Sequence, residues 1–376
     1  GTVNATNYNP RILTVNAPAA FAGITNFITP AQSIQDALTA AANNTGNQRY
    51  LVVVFPGPTY LYNPTGIYFE NLVMYSPVKL QGVGPGGVYA NGSNALGTVI
   101  DGVGFTNDNP TSEDWRVLVE SIPHGGVENV AEGEVIYVLP SDNEPFTANP
   151  NYAAAIDGMT LQGGDQTGFP NNINFIGGGQ TGGGQPQGQG FIETQGGGIY
   201  VHSDAANLRI TNNILKSNGG AYAGAIRLGT PDAGDNNNDN VRILRNRIIA
   251  NGGTNLAGAI GLFTGSNGYE IANNDLCGNF SAEYGGAISH YGRSPNGAIH
   301  DNRIYFNQSY DEGGGIMIAG SLSAPADGTG LVAVYNNLIQ SNLGNDDGGG
   351  VRVLNANGDA IFIANNFIVN NISTDE

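Results

Sequence analysis

The chain has 376 residues, 58 of them Gly and 49 Asn, so over a quarter of it is two turn-forming residue types. With 13 basic residues against 31 acidic the net charge is −18, and with a 40% hydrophobic content the chain is neither a disordered polymer nor a nucleic-acid binder built on basic patches. The glycines lack a three-residue period, which excludes collagen, and the longest apolar run, around Leu51 to Phe55, falls far short of the roughly 18 residues of a membrane span.

In chain order, the first predicted element is a helix. Thr29-Pro30-Ala31-Gln32 reads as a capping box that opens an amphipathic helix through Ile34 and Leu38 to about Ala42. A strand, Leu51 to Phe55, follows and stops at Pro56-Gly57, so residues 1–57 read as a cap region. Three strand-like fragments come next: Val78 to Gly84, Val99 to Gly102 and Ile156 to Leu161. Residues 105–150 form an acidic insertion or elaborated coil with Glu113, Asp114, Trp115, Glu120, Glu128, Glu132, Glu134 and Asp142. Residues 177–190 are a Gly/Gln tract, read as a flexible surface loop.

From 196 to 376 the chain repeats. Gly-Gly-hydrophobic or Gly-Ala-hydrophobic triplets end at Ile199, Ile226, Ile260, Ile288, Ile316 and Val351, in steps of 27, 34, 28, 28 and 35. A second signature, Asn-x-(Ile/Leu)-x-x-Asn, starts at Asn213, Asn246, Asn274, Asn302, Asn337 and Asn366 and closes five residues later in each case, from Asn218 to Asn371. The step from the first Asn to the next anchor is always 13 or 14 residues, whereas the return step varies from 14 to 21. One half of each repeat is therefore fixed and the other accepts insertions. Alternating runs such as Leu208-Arg209-Ile210 and Ile316-Met317-Ile318 fit strands, so three short strands per coil are expected. Stacked coils predict an all-β, right-handed parallel β-helix, a single domain over 1–376 in which each coil buries its apolar side against its neighbours. Its inward columns are the six anchors and Leu215, Ile248, Leu276, Ile304, Ile339 and Ile368. The asparagines read as corner residues that tolerate left-handed backbone and pair between coils.

These repeats and the capping helix resemble the pectin-lyase-like parallel β-helix superfamily. That resemblance covers most of the chain and implies the fold, while the superfamily's activities span lyases, hydrolases, adhesins and tailspikes. The Asn-Thr-Asp, Gly-His-Gly and Arg-Ile-Lys motifs of its polygalacturonase-like members are absent, as is the Arg-x-Pro-x-x-Arg of pectate lyases. The stretch from Tyr269 to Gly292 also resembles β-helical segments of very large secreted bacterial proteins, some of which bear multicopper-oxidase domains. No copper, haem or nucleotide site is expected here, since four histidines and a lone cysteine, Cys277, supply no ligand cluster.

Three candidate sites follow. Glu283, Asp311, Asp346 and Asp375 recur five residues before successive anchors, with Glu312 and Asp347 adjacent. Stacked about 4.8 Å apart, such carboxylates suit Ca²⁺, or an acid/base pair at Glu283 and Asp311. Long connectors after Ile226 and Ile316 predict the walls of a groove roughly 14 Å wide, with Asp232, Asp235, Asp239 and Asp327 on the walls and Phe263, Tyr291 and Arg293 on the floor, fit for a polysaccharide or cell-surface glycan. His290 falls in an otherwise aliphatic column and reads as buried and hydrogen-bonded, with a catalytic role as the alternative.

The last repeat stops at Asp375-Glu376, where Gly-Gly-Gly-hydrophobic is due, so a larger polypeptide continuing after Glu376 is expected. An acidic, Lys-poor, Asn/Gly/Thr-rich chain without a reactive thiol suits a secreted or cell-surface location, while the single cysteine gives no reading of the redox compartment. The function expected from sequence is a glycan-facing β-helical scaffold or binding module of a larger extracellular protein. The alternatives are a polysaccharide lyase or glycoside hydrolase working through stacked carboxylates, and an accessory part of a multicopper-oxidase-type protein.

Overall fold

In a computed structural model the described residues are 10–19, 27–31, 33–43, 49–88, 92–105, 109–124, 133–146, 152–164, 197–220, 222–230, 234–253, 256–320 and 328–374. The Gly/Gln tract 177–190 and the residues Asp232, Asp327 and Asp375 lie outside them.

Four parallel sheets of stacked short strands make a parallel β-helix. A regular coil runs from Ile199–Val201 in an eight-stranded sheet to Arg209–Thr211 in an eleven-stranded sheet. It continues through Ile214–Lys216 in a nine-stranded sheet and Gly219–Gly220 in a six-stranded one before rejoining the first at Ile226–Leu228. The fourth, two-residue strand was not anticipated; it occupies the fixed half of the repeat and explains why that half keeps its length. We call the eight-stranded sheet the anchor sheet because it carries the hydrophobic anchors.

Register follows the predicted columns. Ile199, Ile226, Ile260, Ile288, Ile316 and Val351 pair in sequence, and so do Leu215, Ile248, Leu276, Ile304, Ile339 and Ile368. One continuous apolar core from Leu13 to Ile339 fills the bore. In the final coil Val353, Ile363 and Ile368, which stand in register with buried Ile318, Val334 and Ile339, are exposed.

The asparagine signatures form two ladders. The Nδ2 of Asn213 donates to Asn246 Oδ1, and the pattern repeats through Asn274, Asn302, Asn337 and Asn366 at 2.9–3.2 Å. The second ladder runs from Asn218 to Asn371 in the same way. Each ladder oxygen also accepts the backbone N–H of the preceding coil's Asn, as Asn274 Oδ1 does from Asn246 at 2.9 Å. Left-handed backbone, expected at the ladder asparagines themselves, falls instead on the residue before each one: Asn212, Arg245, Asn273, Asp301, Asn336 and Asn365 in the first ladder. The ladder amide must face inward along the stack, so its neighbour takes the sharp turn.

The capping helix starts later than predicted. Phe27–Ala31 is a strand, and Ser33 caps a helix over Ile34–Ala42, its Oγ accepting from Asp36 N at 3.0 Å. The Glu70 carboxylate accepts from Ile34 N and Gln35 N at 3.0 and 3.2 Å, so a distant coil holds the positive end of the helix. Within the acidic insertion Asn109 caps a second helix, Pro110–Ser121, with Pro at its first turn. Its Trp115 and Val119 lie on the outer side of the anchor sheet, clustered with Val73, Tyr137 and Tyr200.

Candidate ligand-binding face

The anchor-sheet strands alternate. Ile199 and Val201 point into the bore, and Tyr200 points out. By register the outward column reads Val73, Tyr137, Tyr200, Arg227, Gly261, Ser289, Met317 and Arg352. Its first half is an aromatic stack: Trp115 on Tyr137 at 5.6 Å, Tyr137 on Tyr200 at 4.9 Å, and the Arg227 guanidinium 4.1 Å above Tyr200. Arg227 also lies 4.8 Å from the Tyr222 ring and 5.7 Å from Phe263, wholly buried among them.

The turns before each anchor strand cover this sheet, and they carry the acidic row. The pairing of Ser281 with Ser309 and of Ser309 with Gly344 puts Glu283, Asp311 and Asp346 in one column. Tyr284, Glu312 and Asp347 make the column beside it. Desolvation, then the charge of Asp311, raises the pKa of Glu283. Desolvation, then Asp346 and Asp347, raises that of Asp311. Arg352 partly neutralises the row, reaching Asp347 at 2.7 Å and Glu312 at 3.5 Å. Among the described residues no three His, Cys, Asp or Glu side chains converge as a metal-binding group.

Half-buried Tyr284 sits between these carboxylates and Tyr291. Burial, then Asp311, Glu312, Glu283 and Tyr291, pushes its phenol up to about 12. The acidic row and Tyr291, two separate sequence candidates, thus share one face.

The other predicted groove residues do not form a floor and walls. Phe263 is covered, its ring edge-on to Tyr222 at 5.5 Å and to Tyr291 at 6.1 Å, so it presents no face to a ligand. Its outward side is occupied because the turn at Tyr222 folds over it. Arg293 is paired with Asp359 at 3.1 Å, and the same Oδ2 accepts from Gly330 N at 2.8 Å. Asp235 and Asp239 accept backbone N–H groups of Asn237 and Asn267, so both carboxylates fasten turns. Asp232 and Asp327 lie outside the described residues.

His290 belongs to the bore. It pairs with Leu262 and Ile318 and is fully buried, with Nδ1 2.9 Å from Tyr269 Oη and Nε2 2.8 Å from Gly292 O. Burial, opposed by hydrogen bonds to backbone carbonyls, holds its pKa down at about 4. That position takes His290 out of contact with any ligand on the outer face, correcting its candidacy as a catalytic residue.

Two groups of outer-face residues escaped the sequence reading. Glu134, in register with the first Gly of the Gly-Gly signature, is wholly buried, and among the described residues neither carboxylate oxygen reaches a hydrogen-bonding group of another residue. Burial pushes its pKa well up, opposed first by its own backbone N–H and then by the charge of Arg227. His124, which comes from the insertion, meets His202 and Ser203 at the end of an anchor strand, with the two imidazoles 4.9 Å apart. Tyr200 and Arg227 were visible as the residues between paired anchors; no sequence spacing announces the contact between 124 and 203.

The fold and this face define a parallel β-helix with aromatic, arginine and carboxylate side chains along the outside of one sheet. No protein-family model, curated protein or solved structure matches the chain.

Proposed function

We propose that the chain is a β-helical binding module that engages a polysaccharide along the outer face of the anchor sheet, as part of a secreted or cell-surface protein. The observation that carries this reading is the setting of Tyr284: a half-buried phenol beside Tyr291, bordered by Glu283, Asp311 and Glu312. Aromatic rings stack on the apolar faces of sugars, and carboxylates accept their hydroxyls, while the rigid stack of coils keeps these groups in place without ordering cost. The likeness of the repeats to pectin-lyase-like β-helices supports the same reading. Affinity electrophoresis against neutral and acidic polysaccharides tests it: at least one should retard the protein, and Tyr284→Ala should abolish the retardation. Unchanged migration with every polysaccharide overturns the proposal.

The raised pKa values of Glu283 and Asp311 favour a second reading, chain cleavage by a carboxylate pair, in which the group that stays protonated donates to the leaving oxygen. Reducing-end release with and without added Ca²⁺ separates the two. Cleavage that Asp311→Asn abolishes makes the protein an enzyme; binding without cleavage leaves it a module. A Ca²⁺ dependence of either that is lost in Asp311→Asn assigns the cation to the acidic row.

A further inference from the structure

The contact of the insertion with the coils places a serine and a histidine in the arrangement that activates a nucleophile. Ser203 stands two residues after the strand Ile199–Val201 and is half-buried, as is His124. Ser203 Oγ lies 3.0 Å from His124 Nε2. At the other end of that ring, Nδ1 is 2.7 Å from the carbonyl oxygen of Pro140. A carbonyl can only accept, so Nδ1 carries the proton, and the neutral ring turns the lone pair of Nε2 toward the serine. The backbone carbonyl therefore does for His124 what a third side chain does in a triad: it fixes tautomer and ring orientation.

The surroundings fit that chemistry. His202 Nδ1 lies 3.2 Å from Ser203 Oγ, and burial beside His124 and Arg227 holds this second ring neutral, its pKa near 3. In its Nδ1–H tautomer the neutral ring fills the serine's acceptor side without adding charge. Asp204 Oδ2 is a rival acceptor at 3.0 Å, while its Oδ1 takes Asn237 Nδ2 at 3.0 Å. Asp204 itself is in left-handed backbone (φ 59°), which turns the chain sharply just after Ser203. Among the described residues the backbone N–H of Ser203 has no hydrogen-bond partner, whereas those of His202 and Asp204 are bonded to Val138 O and Asn236 O. A donor beside the nucleophile is where a developing oxyanion forms.

We propose that Ser203 and His124 form a nucleophile–base dyad that hydrolyses short-chain acyl esters. Ser203 Oγ attacks the ester carbonyl carbon as its proton passes to His124 Nε2. The tetrahedral intermediate collapses by breaking the bond to the alcohol oxygen, which takes the proton back from the imidazolium. Water, deprotonated by the same nitrogen, attacks the acyl-serine and releases the carboxylic acid, restoring the hydroxyl. The short acyl group follows from the setting: Tyr137 and Tyr200 behind the dyad are stacked and covered, and leave no apolar slot for a long chain. This proposal stands apart from polysaccharide binding at Tyr284, which lies on the same sheet three coils farther along.

The test uses the full chain with p-nitrophenyl acetate and an alkyl fluorophosphonate, followed by peptide mass spectrometry. The expected result is ester turnover and a phosphonyl adduct on Ser203, both lost in Ser203→Ala. In His124→Gln the labelling rate should fall at least ~100-fold, the usual worth of a positioned base, and in Asp204→Asn it should persist. Near-UV circular dichroism identical to wild type shows that the variants are folded. An intact protein with no adduct at Ser203, or one labelled equally fast in His124→Gln, overturns the dyad. So does labelling that depends on Asp204 and not on His124.

Discussion

Asn274 shows how one residue type sustains the whole stack. Its Oδ1 accepts the N–H and Nδ2 of Asn246, while its own Nδ2 donates to Ile243 O and Asn302 Oδ1. Asn274→Ala strands buried groups on both neighbouring coils, each costing about 1–3 kcal/mol. Chemical denaturation should show a loss of at least about 3 kcal/mol, and Asn371→Ala, at the exposed end of the second ladder, should lose less than half of that. The residue before each ladder Asn bears the opposite burden. Ala250 has φ 53°, a left-handed conformation that Gly278 (φ 63°) supplies freely in the next coil. Ala250→Gly should therefore stabilise the protein by about 0.5–1 kcal/mol, the relief of left-handed strain less the extra chain entropy of glycine; an unchanged denaturation midpoint contradicts that reading of the turn. Most of this was legible in the repeats, because identical residues at a fixed period mark a shared environment. The exact owner of the left-handed turn was not, since Asn is at home both in ladders and in such turns.

At the scale of elements, the Gly-Gly signature and the bore histidine govern how coils stack. A Cβ on Gly286 would stand 2.2 Å from Gly314 O, the backbone of the next coil, so this glycine is required by close approach and not by a left-handed turn. Gly286→Ala must push two coils apart; overpacking of this kind costs about 1–3 kcal/mol, and the denaturation midpoint should fall accordingly. His290 couples the bore to pH. Its pKa is depressed to about 4 in the folded chain, whereas the unfolded imidazole titrates near 6.5. Above pH 6.5 both states are neutral and the histidine is indifferent. As pH falls below 6.5 the unfolded state alone takes up the proton, so stability is lost progressively, by about 3 kcal/mol at pH 4. The stability difference between wild type and His290→Gln should therefore shift by that amount between pH 7 and pH 4; a constant difference contradicts a neutral buried ring. Glu283, Asp311 and Glu312, whose pKa values are raised, act in the opposite direction, which is why the difference between variants is the informative quantity. Sequence spacing showed the inward place of His290 because its column is aliphatic. It missed the helix Pro110–Ser121, although Asn109-Pro110 followed by Trp115 and Val119 carries a cap, a first-turn proline and a four-residue apolar step.

At the scale of the molecule, apolar side chains fill the bore, and the outside of the anchor sheet carries aromatic, arginine and carboxylate side chains. The inward columns, the ladders and the insertable half of the repeat follow from periodicity, and each is where the repeats put it. The outer face is legible only in part. Glu283, Asp311 and Tyr291 stand close to one another, but the ring of Phe263 is sealed by the turn at Tyr222, and Arg293 is drawn to Asp359 from a coil two steps beyond. Non-repeating segments decide such contacts, and a period cannot encode what occurs once. Hydrogen–deuterium exchange of the protein with and without a retarding polysaccharide tests the placement of ligand on this face most directly. Protection should be confined to residues 281–293 and 309–319, with peptides spanning the opposite strands Glu270–Ala272 and Arg303–Tyr305 unchanged. Protection centred on those opposite strands, or none anywhere in a saturated complex, would contradict it.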